Sequence, residues 1–260
     1  MTAARSGRTV GRRIALGFTL PLALGGLWHL ASRRGPGGAY AFVPLRDVAG
    51  GFLEVARSGE LRYDALSTLR EAFTGLLVGS VAGVAFGAVL GLSRTADRLL
   101  GPLYHGLRQV PLMGLVPLIG LWFGNGAGAK LLVVSLAAFY PVALATADGL
   151  RQVERAHLEL ARALVLGRRD TFRQILLPSA APFIVTGVLQ ALAFTWIASV
   201  GSELLFSATS GLGGFMALAQ AAGRMDLVIV AIASIAVLGS LMNVAVTRLG
   251  RRAQRWRHAS

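Results

Sequence analysis

Six apolar stretches of the chain, each free of Asp, Glu, Lys and Arg, stand out as candidate spans: 14–32, 72–93, 109–129, 131–147, 179–202 and 227–247. A helix crosses roughly 30 Å of hydrocarbon with about 20 apolar residues. Five of the six reach that length, and the fourth does so when continued through Asp148 to Leu150. The pattern predicts an all-α polytopic membrane protein with about six transmembrane helices, at 14–32, 72–93, 103–123, 131–150, 179–206 and 227–247. Gly124-Asn125-Gly126-Ala127-Gly128 supplies the turn between the third and fourth. The segment 33–66 opens irregularly at Pro36-Gly37-Gly38 and carries a mixed helical stretch near Val48 to Arg57. It is too short and too polar for a separate domain, so residues 1–260 form one membrane domain.

Two spans depart from plain hydrophobicity. In the second, Gly75, Gly79, Gly83, Gly87 and Gly91 recur every four residues, a stripe that stays near one side of a helix. Small residues at this spacing let another helix approach closely in lipid. The stripe serves either static packing or a moving pathway. In the third, Pro102, Pro111 and Pro117 each remove a backbone donor and predict a kinked or unwound helix. Broken helices border substrate paths in transporters, which makes Pro111 and Pro117 pathway candidates; a purely structural kink fits the sequence equally well. With no charge over 109–129, such a path is lined by apolar residues, glycine and carbonyls.

Charge sets the orientation. With the N-terminus inside, 17 of the 26 basic residues fall in cytoplasmic pieces, and Arg108 joins them at a helix end. The positive-inside bias places both termini, the 151–178 loop and the basic tail 248–260 in the cytoplasm of a cell (inner) membrane protein. The net charge of +14 therefore belongs to topology and anionic membrane lipid, not to nucleic acid. Arg12-Arg13 before an apolar run is similar to a twin-arginine signal. The run is longer than a signal's apolar core and lacks a small-x-small site, so a retained first span is expected.

Composition removes other classes. The chain is 54% hydrophobic and 15% charged, has no cysteine, and its four histidines show no zinc-binding spacing. No metal and no cofactor are expected. Lys130, the single lysine, follows a glycine-rich run, but Ala129 and Leu131 stand where a phosphate-binding loop needs glycine and Ser or Thr. The chain has no ATPase motif of its own, and Lys130 is expected to anchor a helix end.

Between the fourth and fifth spans lies a charged, helix-prone segment, 159–178. Leu160, Leu164 and Gly167 fall near one helical face and Arg162, Arg168 and Arg169 mostly around the other. Such a loop suits a grip by a soluble partner. Its residues Glu159, Ala161, Ile175, Leu177 and Pro178 match the Glu-Ala-Ala, three residues, Gly, nine residues, Ile, one residue, Leu-Pro pattern of binding-protein-dependent ABC importer permeases. Leu160 stands for the first alanine. The segment 107–130, together with Ser202-Glu203 and Ser210-Gly211-Leu212-Gly213, resembles the aliphatic sulfonate, taurine and nitrate group of that family. One position departs: Val165 occupies the glycine site, and Gly167 follows two residues later, which leaves the turn between two short helices open to a shift.

The resemblance implies a type I importer permease architecture. It also implies the partners: an ATP-binding subunit that hydrolyses ATP and receives the loop in a surface cleft, a substrate-binding protein, and a second permease subunit, expected as a homodimer. In that reading Glu159 offers a carboxylate to the ATPase, Leu160, Ala161 and Leu164 supply apolar contact, and Pro178 stops the second short helix. Glu159 as a plain solvated surface carboxylate is the simpler alternative. Glu203 is the acidic residue of the fifth span. A carboxylate in lipid is costly and often functional, and a proton-coupled secondary carrier would use it. A membrane hydrolase lacks any close catalytic pair here, and a membrane scaffold without transport leaves the 159–178 loop unexplained.

Overall fold

Ala127–Arg151 is the helix around which the others are arranged, and its sequence explains why: small and β-branched residues alternate around it, and Val133, Val134, Ala138, Val142 and Ala143 are all buried. The computed structural model describes residues 19, 23–33, 42–153, 159, 165–206 and 210–253. Among them every regular element is a helix. In chain order the longer ones are α1 (23–32), α2 (Leu45–Ser58), α3 (Glu60–Leu92), α4 (Arg94–Leu107), α5 (Leu112–Phe123), α6 (Ala127–Arg151), α7 (Leu177–Leu205), α8 (Leu212–Ala221) and α9 (Met225–Ala253), with a short helical turn, Arg168–Thr171, and a wide one, Phe172–Leu176, leading into α7.

Four of them, α3, α6, α7 and α9, are long and apolar enough to cross a membrane. The pair α4–α5 adds a fifth crossing if its two halves count as one, and of the predicted first span, 14–32, only 19 and 23–32 lie within the described residues. The kink expected in the predicted span at 103–123 is present, and the helical stretch begins earlier, at Arg94. It is two helices bent by 97°, and the break lies at one of the three prolines only. Pro111 is extended at ψ 113 and is the N-cap of α5, and its ring disfavours helix in Val110 before it, so helix cannot run on through the break. Pro102 and Pro117 remain inside α4 and α5. The second span also starts earlier than its charge-free run, at Glu60, because Asp64 and Glu71 find buried partners.

The glycine stripe of α3 packs against α6. A Cβ on Gly83 would lie 2.9 Å from the Phe139 carbonyl, and one on Gly91 3.0 Å from Leu150 Cβ; on Gly75 it would run into Val134. The pairings advance together, 75 with 134 and 91 with 150, so the two helices run parallel and nearly in contact. In lipid this attraction is close van der Waals packing, which a single methyl would disrupt. The α7 helix returns antiparallel, with Phe183 on Gly149 and Ala145 on Gly187. In α9, Gly239 meets Trp196 and Gly250 meets Leu189. One end of the bundle therefore carries the starts of α4 and α7 and the finish of α9; this is the loop end. The opposite, far end carries Gly124–Gly126, the α7–α8 connection, and Arg224, whose bonds to Asp226 and Glu54 tie α9 to α2.

Candidate functional site

Three regions hold the candidate residues. The first is the break between α4 and α5. The helix α4 enters from the loop end, where Ser93 caps it by accepting from the Ala96 amide at 3.2 Å and Asp97 pairs with Arg151. Tyr104 then donates to the Tyr140 carbonyl at 2.6 Å, near the middle of α6. Four residues on, Arg108 begins the break at that depth. Arg108 stands at a helix end as expected, as the C-cap of α4, but α4 uses its length to carry that end to mid-bundle before the chain turns. Beside the break lies a cavity of about 510 Å³ lined by Arg108, Pro111, Met113, Tyr140, Gln190 and Phe194 among others. A second cavity of about 510 Å³ shares Pro141, Leu144 and Gln190 with it and reaches Asp148 and Gln152 toward the loop end. Pro111 thus lines the first cavity, whereas Pro117 lies on an exposed part of α5 away from both cavities.

The second region is a buried polar cluster at the far end. Glu203, in the last turn of α7, is 1% exposed. Its Oε2 accepts from the Gly213 amide at 2.8 Å and from Thr68 Oγ1 at 3.1 Å. Thr68 Oγ1 in turn accepts from the Leu212 amide, and Asp64 accepts from the Gly211 amide, both at 2.9 Å. Three successive amides at the start of α8 are thereby satisfied by α3 and α7, with the carboxylates at the positive end of the α8 dipole. The approach is so close that any Cβ at Gly211, where φ is +131°, would overlap the Glu203 carboxylate. Alongside, Lys130 Nζ lies 2.7 Å from Glu71 Oε2 and donates to the Ser210 carbonyl at 3.2 Å. Lys130 is 4% exposed, so in the first turn of α6 it is a buried cross-link to α3 and to the α7–α8 connection. Neither Thr68, Asp64 nor Glu71 was legible as a site residue by motif.

The third region is the 159–178 segment. Glu159 is helical and exposed, while Leu160, Ala161 and Leu164 lie outside the described residues. Val165 is 88% exposed and holds φ +52°, the left-handed conformation that glycine adopts freely and a β-branched residue does not. The turn has therefore stayed at position 165, and Gly167 has not taken it over; Gly167 is not among the residues of positive φ, and its carbonyl accepts from the Thr171 amide at 2.9 Å and hydroxyl at 3.0 Å. The expected stop at Pro178 is corrected. Helix runs from Arg169 to Leu205 through one wide turn at Phe172–Leu176, where the Leu177 amide bonds the Phe172 carbonyl. Pro178 sits in the first turn of α7, where a missing N–H costs least. Ile175 is half-buried and Leu177 exposed.

Comparison with known proteins adds the following. Residues 75–255 match the model of the family described as binding-protein-dependent transport system inner membrane component. A permease protein of Escherichia coli named for aliphatic sulfonates transport, SsuC, is 36% identical over 95% of this chain and 93% of its own length. The taurine transport system permease protein TauC of the same organism is 34% identical, covering 73% of this chain and 69% of the relative. The nitrate import permease protein NrtB of Leptolyngbya laminosa is 31% identical over 74% and 68%. In three dimensions, the chain is similar to a chain of the MetNI methionine ABC transporter in an inward-facing conformation. That similarity has a TM-score of 0.63 at 20% identity and covers 77% of this chain and 99% of the other.

Proposed function

The chain belongs to the binding-protein-dependent transport system inner membrane components, in the sulfonate, taurine and nitrate group of ABC importer permeases. From that premise we propose that it forms the membrane pathway of an importer driven by a separate ATP-binding subunit and fed by a substrate-binding protein. The observation that carries this reading is the likeness to transport permeases over nearly the whole chain, joined to a bundle broken at mid-depth beside a cavity. The sequence adds the absence of a phosphate-binding loop, which leaves the energy source to another chain.

In this reading two copies pair across the α4–α5 break, and the loop end faces the cytoplasm, as the arginine distribution favours. The segment Glu159, Leu160, Ala161, Leu164, Val165, Gly167, Ile175, Leu177 and Pro178 seats against the ATPase. Because Arg169 to Leu205 is one helical path, force on the segment passes along α7 to Glu203 and the α7–α8 connection. Closure of the ATPases at the loop end is thus felt at the far end, where the binding protein delivers its cargo. The test is uptake of labelled taurine and nitrate in vesicles carrying the chain with its ATPase and binding protein, against the chain alone under an imposed proton gradient. Uptake by the chain alone that Glu203→Gln abolishes would establish a proton-coupled carrier in its place.

A further inference from the structure

Among the walls of the mid-bundle cavity only one side chain is a cation, and no carboxylate among the described residues neutralises it. Arg108 is half-buried, sits at the depth of Tyr140 in the middle of α6, and lines a cavity whose other walls are largely apolar: Val110, Pro111, Phe194, Ile197 and Ala198 among them. Tyr104 is its electrostatic neighbour, a neutral hydroxyl. Arg108 makes no ion pair among the described residues: Asp97 is taken by Arg151, and the Asp148 carboxylate, in the adjoining cavity, acts on the same Tyr104 hydroxyl without pairing with the guanidinium. A guanidinium held at mid-depth of a membrane protein is costly, and such residues face water-filled cavities and mark the paths of ions.

We propose that Arg108 is the anion-selecting group of this cavity, where a small monovalent oxyanion of the sulfonate or nitrate type pairs transiently with its guanidinium as it passes. The inference rests on the permease reading above and names the chemistry of its path. The planar fork of arginine presents paired N–H donors that match two oxygens of a trigonal or tetrahedral oxyanion, which a lysine ammonium does not. Gln190, on the same wall system, offers an amide N–H as a second donor. The apolar lining strengthens the single charge by excluding water, and with no second cation on these walls the anion is not held. Entry is favoured and departure remains easy. Asp148 and Gln152, further toward the loop end, then place a carboxylate beyond the site, which repels the anion from dwelling there.

The chain contains no cysteine, which allows the charge at position 108 to be removed and restored chemically. Arg108→Cys and Arg108→Gln are assembled with the ATPase and binding protein in vesicles, with cysteine-free partner chains. Uptake of labelled ethanesulfonate, taurine and nitrate is measured beside ATP hydrolysis. The unmodified assembly transporting at least one of these establishes the permease reading independently of residue 108; failure of all three there speaks against that reading, not against this one. Expected is a fall of roughly tenfold or more in uptake for both variants, with ATP hydrolysis and copurification of the ATPase retained. Aminoethyl methanethiosulfonate, which adds an ammonium at the thiol of the Arg108→Cys variant, should restore uptake several-fold. The neutral methyl reagent should not, and the sulfonatoethyl reagent should lower it further. The anion with the largest rescue identifies which of the two headgroup chemistries the site serves. Uptake by Arg108→Gln equal to that of the unmodified chain, or equal rescue by the neutral and cationic reagents, overturns the proposal. If the variants do not assemble, Arg108→Lys, which keeps the charge and loses the fork, decides instead: uptake that distinguishes it from the unmodified chain in anion preference supports the site, and unchanged preference overturns it.

Discussion

The Gly213 amide donates to Glu203 Oε2 at 2.8 Å, so the end of α7 and the start of α8 are joined through a carboxylate. The same oxygen takes the Thr68 hydroxyl from α3, and the two glycines flanking Leu212 leave room for the carboxylate to lie on the backbone. Glu203→Ala leaves a buried amide and hydroxyl without their acceptor and should cost about 1–3 kcal/mol. Glu203→Gln keeps a carbonyl oxygen in place and should cost less. Thermal unfolding of the detergent-purified chain measures both. A Gln variant as unstable as Ala would show that the charge at the α8 N-terminus, beyond the accepting oxygen, holds the connection.

Lys130 and Glu71 form the other buried link at the far end, at 2.7 Å between α6 and α3. Removing one partner strands a charge, whereas removing both leaves an apolar contact. Lys130→Met should therefore destabilise by about 3–5 kcal/mol, and adding Glu71→Met should recover most of it. Full insertion and stability of the single variant would place the pair in contact with water.

The glycine face gives a sharper contrast within one helix type. Gly79→Ala drives a methyl onto the Ser135 carbonyl and Ala138, and Gly87→Ala does the same to Ala143 and Thr146. Each should cost about 1–3 kcal/mol or more and lower the yield of folded protein. Gly50→Ala in α2, with nothing nearby, should leave stability unchanged or slightly improved. Yield and melting temperature of the three variants provide the measurement.

What the sequence disclosed follows from which signals are local. The period-four glycines announced a close helix contact without naming its partner, because the partner, α6, is set by tertiary packing. The stripe extends one step back to Glu71, and Lys130 lies one step back from Val134, which faces Gly75. The Glu71–Lys130 pair was therefore implicit in the register once α3 and α6 were known to be parallel. Proline told less than it promised: three prolines predicted a broken span, yet only Pro111 lies at the break, since Pro102 and Pro117 are absorbed by the helices around them. Arg108 is at a helix end as expected, but its depth depends on where α4 begins, at Arg94, which the charge-free run beginning at 109 does not show. The α8 cap escaped notice because Asp64, Thr68 and Glu203 come together only through folding.

Val165 bears on the last prediction. Its φ of +52° places a β-branched side chain in the left-handed region, while 88% exposure leaves it little packing in this chain to offset the strain. The left-handed conformation costs a non-glycine residue roughly 1–2 kcal/mol, more than the extra backbone entropy glycine surrenders, about 0.5–1 kcal/mol. Val165→Gly should consequently raise the stability of the segment by up to about 1 kcal/mol, read as slower amide exchange over 165–171. Gly167→Ala, at a position without positive φ, should leave that exchange nearly unchanged. If the valine instead seats in the ATPase, the glycine variant will gain local stability and lose copurification of the ATPase and coupled uptake. Strain retained at an exposed valine would then be the cost of a contact made only in the assembled transporter. Unchanged exchange in Val165→Gly would refute the strained turn and return the glycine role to Gly167.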